Sequence, residues 1–226
     1  MIDREQISSK ARAFFDELWM RGDPWEFETS GFEHERFAHL LKMLETRRYK
    51  RVLEIGCGAG NFTRRFAPLA DQVLALDISS DAIAKAQAAQ TTLRHIEFRT
   101  ANIMEYDPKP EGPWDLIILS ETIYFLGWLY PFFDVAWLAF ELFTASRAGG
   151  QLLLANSYGG PQDYLLLPFL IRSYRDLFRN IGYQINSEET FAGSKNGVEI
   201  EVLITLFEKM NEQSAGAREW RTNISR

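Results

Sequence analysis

The sequence is short of four things, and each shortage excludes something. It has one cysteine, Cys57, among 226 residues, so no disulfide framework can form within the chain. That usage suits a reducing compartment, and a cytoplasmic location is the expectation. Positive charge is scarce, with 25 Lys and Arg against 31 Asp and Glu and a net charge of -6. The densest basic group is Arg47, Arg48, Lys50 and Arg51, which reads as the solvated end of a helix before a strand. Proteins that grip phosphates along nucleic acid carry a basic face, so nucleic acid is not an expected partner. Long apolar runs are missing too. The most apolar stretch, 125–143, is broken by Gly127, Pro131, Asp134 and Glu141, whereas a membrane span needs ~20 nearly uninterrupted apolar residues. The first residues are charged from Asp3 onward and lack the apolar core of a signal peptide. Histidine is rare: His34 and His39 stand five apart and do not share a helix face, and His95 opens a strand. No metal site is expected from them. There is no internal repeat or low-complexity segment.

What is present is 46% hydrophobic residues, with six Trp and 17 Phe. That is enough for one sizeable core, and the length favours one domain. Residues 4–20 carry Ile7, Ala11, Phe14, Phe15 and Leu18 at helical spacing, and Gly22, Asp23 and Pro24 end that helix. A loop over 25–31 leads to a second helix over 32–46. Short apolar strands then alternate with helices. Strands are expected at 51–55, 72–76, 95–98, 114–119 and 151–155. Helices are expected at 61–67, from a cap at Ser79 or Ser80, at 131–146 and at 169–181. Two late strands, 183–188 and 198–207, have no helix between them, which calls for an antiparallel pair at a sheet edge. The pattern predicts a doubly wound α/β fold with a mostly parallel sheet covered on both faces.

The sharpest local signal is Glu54-Ile55-Gly56-Cys57-Gly58-Ala59-Gly60-Asn61, after a strand and before a helix. Glycines there let a ligand approach the backbone, and the carboxyl ends of parallel strands form the ligand crevice. A dinucleotide fingerprint would place its third glycine at the sixth position; here Asn61 stands there and the third glycine comes early, at Gly60. The Gly-Lys-Ser/Thr of a phosphate loop is absent. Asp77 ends the second strand, where a carboxylate can accept hydrogen bonds from both hydroxyls of a ribose, or else cap the next helix. Asn102, just past the third strand, can contact an adenine edge with Ile103 against the ring, or be an ordinary turn residue.

These segments resemble known motifs. VLEIGCGAGNFT is similar to the nucleoside loop of class I methyltransferases that use S-adenosylmethionine. LALDIS resembles the acidic motif that follows it, TANIMEY the adenine-contacting one, and WDLIILSETIYFL the motif after the fourth strand. The likeness covers roughly residues 50–207 and implies a seven-stranded sheet. A narrower likeness reaches the N-terminus. GDPWEFETSGFEHERFAHLL, with Asp23-Pro24-Trp25, the helix start from Phe32 and Glu33 to Arg36, and the stretch from Glu121 to Leu126, resembles the nodulation protein S group of N-methyltransferases. That group methylates an amino group on a chitooligosaccharide precursor. The resemblance implies S-adenosylmethionine as cofactor, S-adenosylhomocysteine as product, and a small amine, an amino sugar or natural-product intermediate, as acceptor.

The same resemblance divides the chain into an N-terminal helical cap at 1–48, a cofactor-binding domain at 49–208 and a polar tail at 209–226. Cofactor contacts are expected from Trp25, Arg36, Gly56, Cys57, Gly58, Gly60, Asn61, Phe62, Asp77, Ile78, Asn102, Ile103, Ser120 and Glu121. Trp25 would lid the site and Arg36 would pair with the cofactor carboxylate, unless they pack and solvate as ordinary residues. Cys57 reads as a small turn residue.

Methyl transfer from a sulfonium is an in-line displacement in which the cofactor supplies the reactive carbon and the protein aligns the acceptor and excludes water. An amine must first lose its ammonium proton, and a hydroxyl needs a base more urgently. Glu121 is the leading candidate, with Tyr124 and His34 beside it and His39 also near the expected mouth. Tyr124, Asn156 and Tyr158 are the expected acceptor contacts, and Phe125, Trp128 and Tyr130 either shape that pocket or pack the core. An O-methyltransferase, a protein or nucleic-acid methyltransferase, a non-catalytic S-adenosylmethionine binder and a nicotinamide dehydrogenase are the competing readings. The oligomeric state is open.

Overall fold

The computed structural model describes residues 4–90, 92–158 and 164–210. Most of the expected polar tail, 211–226, lies outside these residues.

Seven strands form one sheet in the order β3-β2-β1-β4-β5-β7-β6. They are β1 (Tyr49–Ile55), β2 (Ala70–Asp77), β3 (Ile96–Thr100), β4 (Trp114–Ser120), β5 (Ser146–Tyr158), β6 (Tyr183–Lys195) and β7 (Val198–Lys209). The first five run parallel, and β7 inserts antiparallel between β5 and β6. The sequence explains the layering. β4 (WDLIILS) is buried at every position but its last, as a strand covered on both faces must be. Along β1 the alternate residues Val52 on one side and Leu53 and Ile55 on the other feed two separate cores.

One face carries α2 (Gly31–Leu44) and the short α3 (Thr63–Phe66), with Phe37, Leu40, Leu44, Phe62 and Phe66 in its core. The opposite face carries α5 (Ile123–Leu129), α6 (Phe132–Ala145) and α7 (Pro168–Ile181), with Ile123, Leu138, Leu142 and Phe178 in its core. α1 (Arg4–Met20) lies against α4 (Ser80–Ala89). Asp16 on α1 accepts hydrogen bonds from Ser79 Oγ at 2.7 Å and Asp81 N at 3.3 Å, a carboxylate placed at a helix N-terminus where the backbone dipole favours it. Of the two candidate caps for α4, Ser79 is the one used: its hydroxyl accepts from Ala82 N at 3.1 Å.

Three expectations are corrected. The helix expected over 61–67 is the four-residue α3 followed by a 3-10 turn, Ala67–Leu69, because Pro68 has no N–H to continue an α-helical ladder. The stretch after β4, assigned no helix from sequence, forms α5. The last three strands outrun their expected lengths. β5 reaches Tyr158, and β6 and β7 pair as far as Lys195↔Val198 while β7 pairs β5 only as far as Tyr158↔Glu201. The hairpin thus overhangs the carboxyl edge of the sheet. Its turn is Asn196-Gly197, both at positive φ of 52° and 77°, the conformation a two-residue hairpin turn requires. Among the described residues no helix is long and apolar enough to cross a membrane.

Candidate functional site

The strand order reverses between β1 and β4, and the crevice outside such a reversal is where open α/β sheets take ligands. A cavity of about 490 Å³ lies there. One end is formed by the tips of the first three strands: Gly56 and Gly58 after β1, Asp77 and Ile78 after β2, Asn102 and Ile103 after β3. The other end is formed by Ser120, Glu121, Tyr124, Ser157 and Tyr158 from the β4 and β5 tips, with Glu33 on α2 and Lys195 and Glu199 on the hairpin. Phe15, Trp19, Trp25 and Phe27 of the cap line its roof. Trp25 stacks on Phe27 with centroids 5.8 Å apart and meets Trp19 edge-on at 5.5 Å.

The first end is held rigidly. Gly56 and Gly58 have φ of 77° and 54°. A Cβ on Gly56 would collide with Thr122 Oγ1, and one on Gly58 would stand 2.8 Å from Trp19, so neither position accommodates a side chain. Asp77 binds the loop across the crevice: Oδ2 accepts from Gly58 N at 2.8 Å and Oδ1 from Ser79 N at 2.9 Å. Burial pushes its carboxyl up to about 6, with those two backbone donors opposing. Each oxygen keeps a second lone pair for a hydroxyl. Asn102 donates to Ser8 Oγ at 3.0 Å and Tyr130 OH at 2.8 Å and accepts from Met104 N at 3.0 Å; its amide fastens α1 to the β3 tip as it lines the cavity.

The second end centres on Glu121. Its backbone has φ of 55°, uncommon for a residue with a side chain and costly by about 1 kcal/mol or more. The turn is secured by Glu121 N donating to Ala155 O at 2.8 Å. Oε1 accepts from Ser157 N and Oγ at 2.9 and 3.0 Å, and Oε2 from Tyr124 OH at 3.0 Å. Burial raises its pKa, against the pull of Arg36 and Ser157. Arg36 sits behind the wall, with Nη1 at 2.9 Å from Ser120 Oγ and 3.8 Å from Glu121 Oε1. It pairs with Glu33 Oε2 at 2.8 Å, and Glu33 Oε1 meets Lys195 Nζ at 2.9 Å. Lys195 also donates to the Trp25 carbonyl, and Asn196 Nδ2 donates to Glu26 at 3.1 Å. The hairpin tip is therefore pinned to the cap.

Of the residues singled out from sequence, Trp25, Gly56, Gly58, Asp77, Ile78, Asn102, Ile103, Ser120, Glu121, Tyr124 and Tyr158 meet in this one cavity. Others do not reach it. His34 is exposed, because Phe32, Glu33, Arg36 and Phe37 occupy the inward face of α2. His39 pairs with Glu189 at 2.8 Å on the hairpin. Gly60 faces β3, where a Cβ would stand 2.7 Å from Phe98. Phe62 stacks on Phe37 at 5.4 Å in the core, and Asn61 sits beside it at the start of that turn. Cys57 is buried, and burial raises its thiol well above the usual range. Asn156 is buried within β5, its Oδ1 without a hydrogen-bond partner. Sequence reasoning missed Glu33, Ser157, Lys195 and Glu199. The Asn196-Gly197 pair was the available signal for a hairpin that would bring the last two forward.

Comparison with known proteins agrees with this architecture. The sequence model of the family described as nodulation protein S (NodS) matches residues 12–129. Nodulation protein S of Bradyrhizobium diazoefficiens is 35% identical over 107 residues, 46% of this chain and 49% of that protein. The chain thus spans about half the length of the curated relative it matches. The crystal structure of the N-methyltransferase NodS from Bradyrhizobium japonicum WM9, in complex with S-adenosylhomocysteine, superposes with a TM-score of 0.74 at 20% identity, over 88% of this chain and 98% of that one. A Burkholderia thailandensis 1,6-didemethyltoxoflavin-N1-methyltransferase gives a TM-score of 0.69 at 13% identity, over 93% and 92%. At these identities the likeness is one of fold, the Rossmann-like methyltransferase fold. The match of the family's own sequence model to just over half of the residues carries more: this chain belongs to the nodulation protein S family.

Proposed function

We propose that the chain is an S-adenosylmethionine-dependent methyltransferase acting on a small amine. The observation that carries this reading is the single cavity that joins two differently built ends. The first end fits an adenosine: paired oxygens of Asp77 for the ribose hydroxyls, Ile78 and Ile103 for the faces of a flat base, and a glycine loop that leaves its backbone bare. The donor and acceptor types there match that cofactor. When bound, S-adenosylmethionine supplies an electrophilic methyl on a sulfonium.

The second end fits an amine. Glu33, Glu121 and Glu199 line this end against Lys195, and an excess of carboxylates draws a protonated amine in. Glu121 is placed to take the ammonium proton, which frees the nitrogen lone pair for attack. Its raised pKa makes it a better base near neutrality than an ordinary carboxylate. Tyr124 and Ser157 fix its two oxygens, and the aromatic roof excludes water from the line of transfer. Arg36, behind Ser120, balances the carboxylate charge of Glu33 and Glu121 from outside the cavity.

Calorimetry with S-adenosylmethionine, S-adenosylhomocysteine and NAD tests the first half, and NAD binding without S-adenosylmethionine binding would end the reading. A panel of amines, amino sugars, alcohols and carboxylic acids, followed by mass spectrometry for the gain of one methyl, tests the second. Methylation confined to hydroxyl acceptors would replace the amine with an O-methyl acceptor. Binding with no turnover on any acceptor would leave a cofactor-binding protein.

A further inference from the structure

Away from the cavity, α6 presents an aromatic face to solvent. Phe133, Trp137 and Phe140, at spacings of four and three, are 78%, 59% and 47% exposed, and Phe132 beside them is 58% exposed. The opposite side of the helix, with Val135, Leu138, Ala139, Leu142 and Ala145, is buried in the core. A helix apolar all round is one that is covered all round. The two acidic residues of α6 add no free charge to the exposed side: Asp134 pairs with Arg4 at 2.6 Å and Glu141 pairs with Lys109.

We infer that this face is the self-association surface of the protein, α6 packing antiparallel on α6 of a second copy about a two-fold axis near Trp137. Three features favour that occupant. The stripe reads nearly the same in both directions, ring, Trp, ring, so a two-fold operation sets Phe133 of one copy against Phe140 of the other and the two Trp137 side by side. Both acidic residues of the helix are already paired with cations, so the helix brings no unpaired charge of its own to the seam. The area sets the scale of association: aromatic residues bury about 150–250 Å² each, so four rings 47% to 78% exposed offer roughly 400–500 Å² per copy. Two such faces bury roughly 800–1,000 Å² in total, the size of a weak, reversible interface. A lipid surface is disfavoured, since interfacial helices carry an excess of Lys and Arg beside their rings and α6 has none.

The test is sedimentation equilibrium of the full chain across a concentration series, for wild type, Trp137→Ala and Trp137→Glu, with circular dichroism and S-adenosylmethionine calorimetry as controls. Dimers are expected for wild type, with the dissociation constant raised at least about tenfold in Trp137→Ala and only monomers in Trp137→Glu. Folding and cofactor binding should be unchanged, because Trp137 lies outside both cores and the cavity. Wild type that stays monomeric up to on the order of 100 μM, a concentration that populates any dimer with a dissociation constant of that order or tighter, would overturn the proposal. So would dimers that survive Trp137→Glu, or flotation with phosphatidylcholine–phosphatidylglycerol vesicles in place of self-association.

Discussion

The two ends of the cavity are built on opposite plans. The end proposed for the nucleoside comes from three strand tips within residues 56–103, held by backbone hydrogen bonds to Asp77. The end proposed for the acceptor is assembled from α2, the β4 and β5 tips and the overhanging hairpin, held by side-chain contacts such as Glu33 to Lys195, 162 residues apart. A cofactor shared by many enzymes calls for a fixed cradle, and an acceptor particular to one enzyme calls for a wall that can vary. The overhang of β6 and β7 supplies that wall without disturbing the sheet.

The contrast is open to direct attack. The largest effect should come from the carboxyl beneath the nucleoside end. Glu54, buried beside Thr63, is pushed up to about 8 by its burial. Its folded value exceeds its unfolded one, so its contribution to stability is full below about 4.5 and is lost as pH rises through about 8; Asp77, raised to about 6, acts in the same direction. Denaturation of the cofactor-free protein should show stability falling across that window by several kcal/mol, since each tenfold difference in proton affinity between the folded and unfolded chain corresponds to about 1.4 kcal/mol. Glu54→Gln should flatten most of the slope, and equal slopes in the two proteins would refute the assignment. Next, Asp77→Ala should weaken S-adenosylmethionine binding about 100-fold, the scale of losing hydrogen bonds to a charged group, as read by calorimetry. Glu121→Gln should lower kcat roughly 30-fold, below the full effect of a general base because an amine also exchanges its proton with water, with cofactor affinity held within a few-fold. A parallel loss of cofactor binding would show that the two ends behave as one. Smallest, Lys195→Met should raise the acceptor KM about fivefold by loosening the hairpin from the cap, the scale of one partly buried ionic contact. An equal change in cofactor affinity would count against the division.

The same contrast governed what could be read from sequence. RVLEI, QVLAL and WDLIIL are apolar because they lie in the sheet interior, and the glycines, Asp77 and Asn102 stand at their ends, so a linear pattern disclosed most of the first end. Glu121, Tyr124 and Tyr158 were legible for the same reason. From Glu188 to Thr190 β6 is exposed on both faces, and beyond it only Phe191 brings a large apolar side chain back to the core, so the apolar alternation that marks a strand is interrupted in the sequence. His34 illustrates the reverse error. It lies two positions from Arg36, yet a helix turns by 3.6 residues, and the rotation that buries Glu33 and Arg36 puts His34 outside. Glu33 and Lys195 carry no joint signal at all, since only the folded hairpin introduces them to each other.

Gly127 on α5 leaves its own mark on how the protein can change. A Cβ there would overlap the Tyr174 hydroxyl of α7, so the two helices touch backbone to ring with no slack between them. Tyr124 and Phe125, which border the acceptor end, ride on that same short helix. A shift of α5 toward α7 would require Tyr174 to move first, so added room at that end of the cavity is gained more directly on the hairpin side.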